Sequence, residues 1–221
     1  MKKILNHMYS DSVESQLIDP VGDEKIIDGV LYKRRFSLKI PITKRDSKNS
    51  IVVILKNPSQ ADKSKSDLTI NKVIEYILRN EQLKDHDQII IVNLLALYRT
   101  SSKEIKSIIK CTSEEFVAGN DSKLEKNDSA IINAITESKT VILAWGNHAL
   151  GIKKLYDYRV QTVLKMVYQL QKQKKVYYVK SLSKYDNPRH AQVWGYENSL
   201  HSCLIEKKIK KYSIIRKNIQ N

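Results

Sequence analysis

Four short apolar runs punctuate the chain: "IVVIL" at 51–55, "IIIVN" at 89–93, "VILA" at 141–144 and "VYYV" at 176–179. Their apolar positions are continuous rather than alternating, which is the pattern of strands buried on both faces. Helical spacing fills the intervals. "LTINKVIEYILRNEQ" (68–82) places Ile70, Val73, Ile74, Ile77 and Leu78 on one stripe. "NDSAIINAITES" (127–138) opens on cap-forming residues, and "RVQTVLKMVYQLQKQ" (159–173) repeats the helical period. Strands alternating with helices predict an α/β fold around a central, mostly parallel, four-stranded sheet. "LYKRRFSLKIPI" (31–42) adds an edge strand or a β-hairpin ahead of that sheet. With no internal repeat or linker, the reading is one α/β domain over 31–205, an N-terminal extension over 1–30 and a basic tail over 206–221.

Each run ends in a polar motif. Asn57-Pro58-Ser59 follows the first, Asn93 closes the second, Trp145-Gly146-Asn147 follows the third, and Asn187-Pro188-Arg189-His190 follows the fourth. Ligands of open α/β sheets bind at the carboxyl ends of the strands, so all four motifs fall on one predicted rim. Proline pushes Asn57 out of the helical region, and two readings stand: a simple turn, or a strand that exists to hold Asn57 in place. Asn93 sits in an otherwise apolar run, where a buried amide must find partners. It is either a structural asparagine bonded to a loop or a reader of a ligand edge. A rigid amide can accept from an imide N–H and donate to a carbonyl, the pair that uracil offers and cytosine does not. Trp145 reads as core or ligand platform, Gly146 as a place of close backbone approach, and His148 as structural. Around His190 stand Arg189, Trp194 and Tyr196, side chains suited to phosphate contact and wedging between bases, or to covering the core.

Composition adds the partner class. The chain has 221 residues, 39 Lys+Arg against 24 Asp+Glu, a net charge of +15 and a pI near 9.6. Such an excess favours polyanions, although a solvated lysine-rich surface has the same composition. No apolar run approaches the ~20 residues that span a bilayer, and no signal-peptide pattern opens the chain. Cys111 and Cys203 are too few for a disulfide framework or a four-thiolate metal site. There is no Gly-rich phosphate loop, paired metal-ligand motif or nucleophile elbow. The expectation is a cytoplasmic protein with no cofactor, no metal cluster and no membrane partner.

The ordered motifs "NPSQAD" (57–62), "DLT" (67–69), "VNLLALYRT" (92–100), "WG" (145–146) and "PRHA" (188–191) resemble those of an uncharacterised bacterial domain family over roughly 31–195. More distantly, their order is similar to the uracil-DNA glycosylase superfamily. That resemblance implies a three-layer α/β/α fold that binds DNA, single- or double-stranded, and flips a base from the stack. It implies a DNA N-glycosylase, a hydrolase of base-excision repair, with other DNA-processing proteins as further partners. Carried over, Asn57 takes the water-positioning place, Asn93 the uracil-reading place, and His190 the place that stabilises the departing base. Pro58, Ser59, Tyr98, Trp145 and Gly146 would line the base pocket, and Arg99, Arg189, Trp194 and Tyr196 would meet DNA. Asp62 and Asp67 are candidates to assist water, or else helix caps and loop residues. Ser59 stands where the strictest uracil-specific members have tyrosine, and Ala191 where a proline follows the histidine. Two alternatives remain beside excision: a non-catalytic nucleic-acid-binding module of the same fold, and an enzyme acting on a free nucleoside or nucleotide.

Overall fold

The computed structural model describes residues 8–43, 45, 47–98, 102–121, 126–148, 151–209 and 211–217. The four apolar runs become β3 (Ser50–Leu55), β4 (Gln88–Asn93), β5 (Ser138–Leu143) and β6 (Lys175–Val179). They pair parallel in the order β4-β3-β5-β6. The expected four-stranded, mostly parallel sheet is nevertheless wrong. Two hairpins extend it: β1 (Asp19–Ile27) with β2 (Val30–Pro41) beside β4, and β7 (Leu200–Lys207) with β8 (Tyr212–Arg216) beside β6. The result is an eight-stranded mixed sheet in which four of seven pairings are antiparallel.

The physical reason is burial. Continuous apolar runs mark strands covered on both faces, whereas β1, β7 and β8 carry charged or polar residues and are only intermittently buried. Residues assigned above to the extension and the tail therefore contribute strands β1 and β8. The β1–β2 turn is Asp28-Gly29, with φ of 50° and 76° at the two positions, a geometry that matches the twist of a two-residue hairpin.

Five α-helices are described: α1 (Leu68–Arg79), α2 (Ser102–Cys111), α3 (Glu114–Ala118), α4 (Lys126–Glu137) and α5 (Lys153–Leu170). Helix α1 buries Ile70, Val73, Ile74, Tyr76 and Ile77 on one sheet face, with Ile51, Val53, Leu55, Ile89, Ile91 and Ala144. Helices α4 and α5 cover the other, against Val52, Ile54, Ile90, Val92, Val141 and Leu143. Alternation of side chains along each strand divides the two cores. No helix among the described residues is long and apolar enough to cross a membrane.

Candidate functional site

The rim at the carboxyl ends of β3, β4, β5 and β6 is fixed by its own backbone. Leu94 N–H donates to Leu55 C=O and Leu95 N–H to Lys56 C=O, both at 2.9 Å, so the second strand's exit is tied to the first. Ala144 N–H donates to Ile54 C=O at 2.9 Å, tying in the third. From below, buried Arg159 of α5 donates Nε to Leu94 C=O at 2.8 Å and pairs with Asp128 of α4. Asn127 donates Nδ2 to Asn93 C=O at 3.2 Å and to Ala118 C=O at 2.8 Å.

Asn93 closes β4 opposite Leu55 and two residues after Ile91, so its side chain lies on the α1 face. It is fully buried, and neither its Oδ1 nor its Nδ2 has a hydrogen-bond partner among the described residues. Buried amides are almost always satisfied, and leaving one unmet costs about 1–3 kcal/mol. Ser59 Oγ, in the adjoining loop, is likewise enclosed without a partner. Asn57 is half-buried and held by buried Pro58.

His190 packs against the third strand's exit. A Cβ built on Gly146 would lie 2.8 Å from the His190 Cβ, and Gly146 has a φ of +73°. Only glycine fits both demands. Tyr156 of α5 donates its hydroxyl to Gly146 C=O, and Trp145 donates Nε1 to Asn187 Oδ1 at 3.3 Å, fastening the two loops together. His190 Nδ1 accepts from Gln192 N–H at 3.2 Å, which leaves the ring proton on Nε2. Burial pushes its pKa down to about 4, the Lys56 cation pushes the same way, and Asp67 opposes. The imidazole is thus neutral at ordinary pH and offers one N–H.

That depressed pKa has a stability consequence. The unfolded histidine takes a proton near pH 6.5, and the folded one resists until about 4. Stability from this group is therefore whole above pH 6.5 and falls as pH drops through the window, by ~1.4 kcal/mol per unit. Urea unfolding at pH 7 and pH 4.5 should show a smaller acid loss in His190→Gln than in the parent. Equal losses would contradict it.

Lys56 was not singled out from the sequence. It is half-buried at the end of β3, its Nζ lies 5.9 Å from the Tyr156 ring centroid, and burial lowers its pKa. The only signal was a lysine ending an apolar strand directly before Asn-Pro.

Other candidates sit elsewhere. Asp67 caps α1, its Oδ1 accepting from Thr69 and Ile70 N–H and its Oδ2 from Ala61 N–H. Asp62 Oδ1 accepts from Ser64 N–H, Ser64 Oγ and Lys65 N–H. Both carboxylates are engaged in holding the 57–67 loop, the cap and loop role named above as the alternative to assisting water. Trp194, assigned to a DNA wedge, is instead 1% exposed; it packs on Tyr76 with centroids 5.1 Å apart and donates Nε1 to Arg189 C=O. Trp145 is also fully buried, so only its backbone and Gly146 reach the rim. Arg189 is half-buried, and Arg99 lies outside the described residues. Tyr196, in the loop before β7, is exposed and lies against Lys72 and Arg79 of α1, at 5.3 Å and 4.5 Å from its ring centroid.

Tyr98 is tied to the β1–β2 hairpin, its N–H donating to Lys33 C=O at 3.1 Å. It lies over the guanidinium of Arg35, 5.5 Å from ring centroid to Cζ. A bulge places that arginine: the β1–β2 register passes from Val21↔Ser37 to Gly22↔Arg35, leaving Phe36 extra and turning Arg35 to the Ala61 carbonyl at 2.7 Å. Tyr98 contacts the guanidinium with its hydroxyl as well, yet Arg35 Nε and Nη2 keep no well-aligned hydrogen bond among the described residues. Tyr98, Arg35, Gln60 and Asp62 line a cavity of about 770 Å³ under the β1–β2 hairpin. This large cavity is beside the Asn93–His190 rim and does not contain it. Among the described residues no group of three or more His, Cys, Asp or Glu converges to hold a metal.

Residues 35–191 match the family described as "Protein of unknown function (DUF1643)". The chain belongs to this family. No curated protein matches. A solved structure from "Structural analysis of two fungal esterases from Rhizomucor miehei explaining their substrate specificity" has 13% identity and covers 67% of this chain. The chain spans half the length of that esterase, and the TM-score of 0.23 carries no argument about fold or chemistry. Within the family, the matched span begins at Arg35 and ends just past His190, so it contains the whole rim.

Proposed function

We propose that this rim binds uracil, or a related damaged imide base, flipped out of DNA and hydrolyses its N-glycosidic bond. The observation that carries the reading is Asn93: a fully buried amide at the end of a central strand, with both polar atoms unused among the described residues. An imide edge presents one N–H beside one carbonyl, and it would satisfy both atoms at once. Because Asn93 is enclosed, the base reaches it when the 57–66 loop gives way, and the unmet amide favours that insertion. The net charge of +15 supports a polyanionic substrate.

In the reaction the C1′–N1 bond breaks and its electron pair passes to the base. The neutral His190 donates Nε2–H to the oxygen that gains charge, and the Lys56 cation lies close enough to His190 to lower its pKa. Water adds its oxygen to C1′ and releases a proton to solvent. Asn57 orients that water and, being an amide, takes no proton. Flipping costs a few kcal/mol, offset by contacts of cationic side chains with the backbone.

Base reading is tested with non-cleavable 2′-fluoro-deoxyuridine in a single-stranded oligonucleotide, against 2′-fluoro-deoxycytidine at the same place. The uracil strand should bind tighter by about 1–3 kcal/mol, the usual worth of a bidentate base contact. Asn93→Ala should remove the difference. Equal affinity of the two strands for the parent protein would sink the reading.

A further inference from the structure

Resting on the excision proposed above, we infer that the Lys56 amine is a nucleophile for the C1′ aldehyde left when the base departs, giving the protein a second activity: cleavage of DNA strands at abasic sites. The residue directly precedes Asn57, so it shares the rim on which C1′ must sit. Many lysines of this chain lie on the surface, several beside carboxylates: Lys25 with Asp121, Lys33 with Glu24, Lys39 with Glu137, Lys126 with Asp23, Lys153 with Asp157. Lys56 pairs with no carboxylate among the described residues; its amine instead lies 5.9 Å from the centroid of the buried Tyr156 ring, near His190. An ammonium with no counter-ion, packed on an apolar face, gives up its proton more readily than a solvated one, and its conjugate amine is the reactive form. Burial lowers the Lys56 pKa in this way.

The chemistry needs no further reactant. The ring-opened abasic sugar carries an aldehyde at C1′. The Lys56 nitrogen forms a bond to that carbon, and the carbonyl oxygen leaves as water, giving a protonated imine. The imine acidifies C2′–H. Loss of that proton forms a C2′–C3′ double bond and expels the 3′ phosphate, which nicks the strand. Hydrolysis of the imine then returns the free amine.

The test supplies the abasic site directly. Full-length protein is mixed with an oligonucleotide carrying one preformed abasic site, in the presence of sodium cyanoborohydride, and adducts are resolved on a denaturing gel and mapped by peptide mass. A one-to-one adduct on Lys56 is expected, with its yield falling about tenfold or more in Lys56→Arg, which keeps the charge but forms no such imine. Lys56→Met, checked for folding by thermal unfolding, should lose the adduct equally. No adduct, an adduct on another amine, or equal yield from Lys56→Arg would each overturn the inference. Uracil release is scored separately on uracil-containing DNA. Release without an adduct overturns the lysine role alone. An adduct on Lys56 without release supports the amine chemistry and overturns the excision reading.

Discussion

Replacing His190 by alanine should lower uracil excision by about 10²–10³-fold, the usual cost of removing one preorganised donor to a developing anion. Gly146 fixes where the histidine sits. Its φ of +73° and the absence of a Cβ let the His190 loop sit directly on the backbone, so the imidazole has little freedom. Gln192 N–H occupies Nδ1, which sends the remaining proton to Nε2. Burial and the neighbouring Lys56 keep a second proton off until about pH 4. The donor is therefore present in the correct form throughout the neutral range, and the cost of orienting it was met on folding. His190→Gln retains an N–H of similar reach and should recover part of the loss, whereas a purely structural role would let alanine and glutamine behave alike. Single-turnover rates of both variants, with thermal unfolding as the control on folding, make the measurement. Unchanged excision in His190→Ala would remove this residue from the mechanism.

Trp194→Ala should cost about 3–5 kcal/mol of stability, the range for deleting a large buried aromatic side chain. The indole is 1% exposed, packs on Tyr76 and closes its N–H on Arg189 C=O, so the residue pins the His190 loop to α1. Loss of the ring leaves a cavity among Val179, Ala191 and the buried face of α1, and an unmet carbonyl at Arg189. The milder Trp194→Phe separates this role from a DNA wedge. It should lower stability while leaving the affinity for single-stranded DNA and its salt dependence unchanged. A tenfold loss of affinity (about 1.4 kcal/mol) in Trp194→Phe would restore the wedge.

The contrast between Trp194 and Asn93 marks what could be read from the chain alone. Asn93 was legible because a polar residue in a continuous apolar run is anomalous, and its place followed from the strand period. The parallel pairing of the four apolar runs and the α1 stripe followed from the same patterns. Trp194 was misplaced because an aromatic between basic and glycine residues suits a wedge and a core plug equally, and only packing on Tyr76 separates them. The hairpins were underread for a related reason. The half-solvated edge strand β1 carries Asp19, Asp23, Glu24 and Lys25, and β8 is flanked by Lys211 and Lys217, so composition made them look like tails. One local signal was present: Asp28-Gly29 flanked by apolar residues is a hairpin turn. Helices α2 and α3 went unread although signals were present: Ile105, Ile108 and Ile109 share one stripe of α2, and Ser113 caps α3 by accepting from Phe116 N–H. The bulge at Phe36, which sends Arg35 beneath the 57–67 loop, had no mark in the sequence at all, because a bulge is a property of pairing between two strands. Lys56 escaped for the opposite reason. A single lysine in a chain with 39 Lys+Arg attracts no attention until it is seen to pair with no carboxylate among the described residues.

The account turns on whether the rim of Asn57, Asn93 and His190 releases a base. The most direct measurement is free uracil, quantified by mass spectrometry, after excess protein is incubated with a single-stranded oligonucleotide carrying one deoxyuridine. The account predicts uracil released in proportion to the strand, none from the matched deoxycytidine strand, and strong loss of release in Asn93→Ala and His190→Ala. No free uracil from the parent protein under these conditions would contradict it.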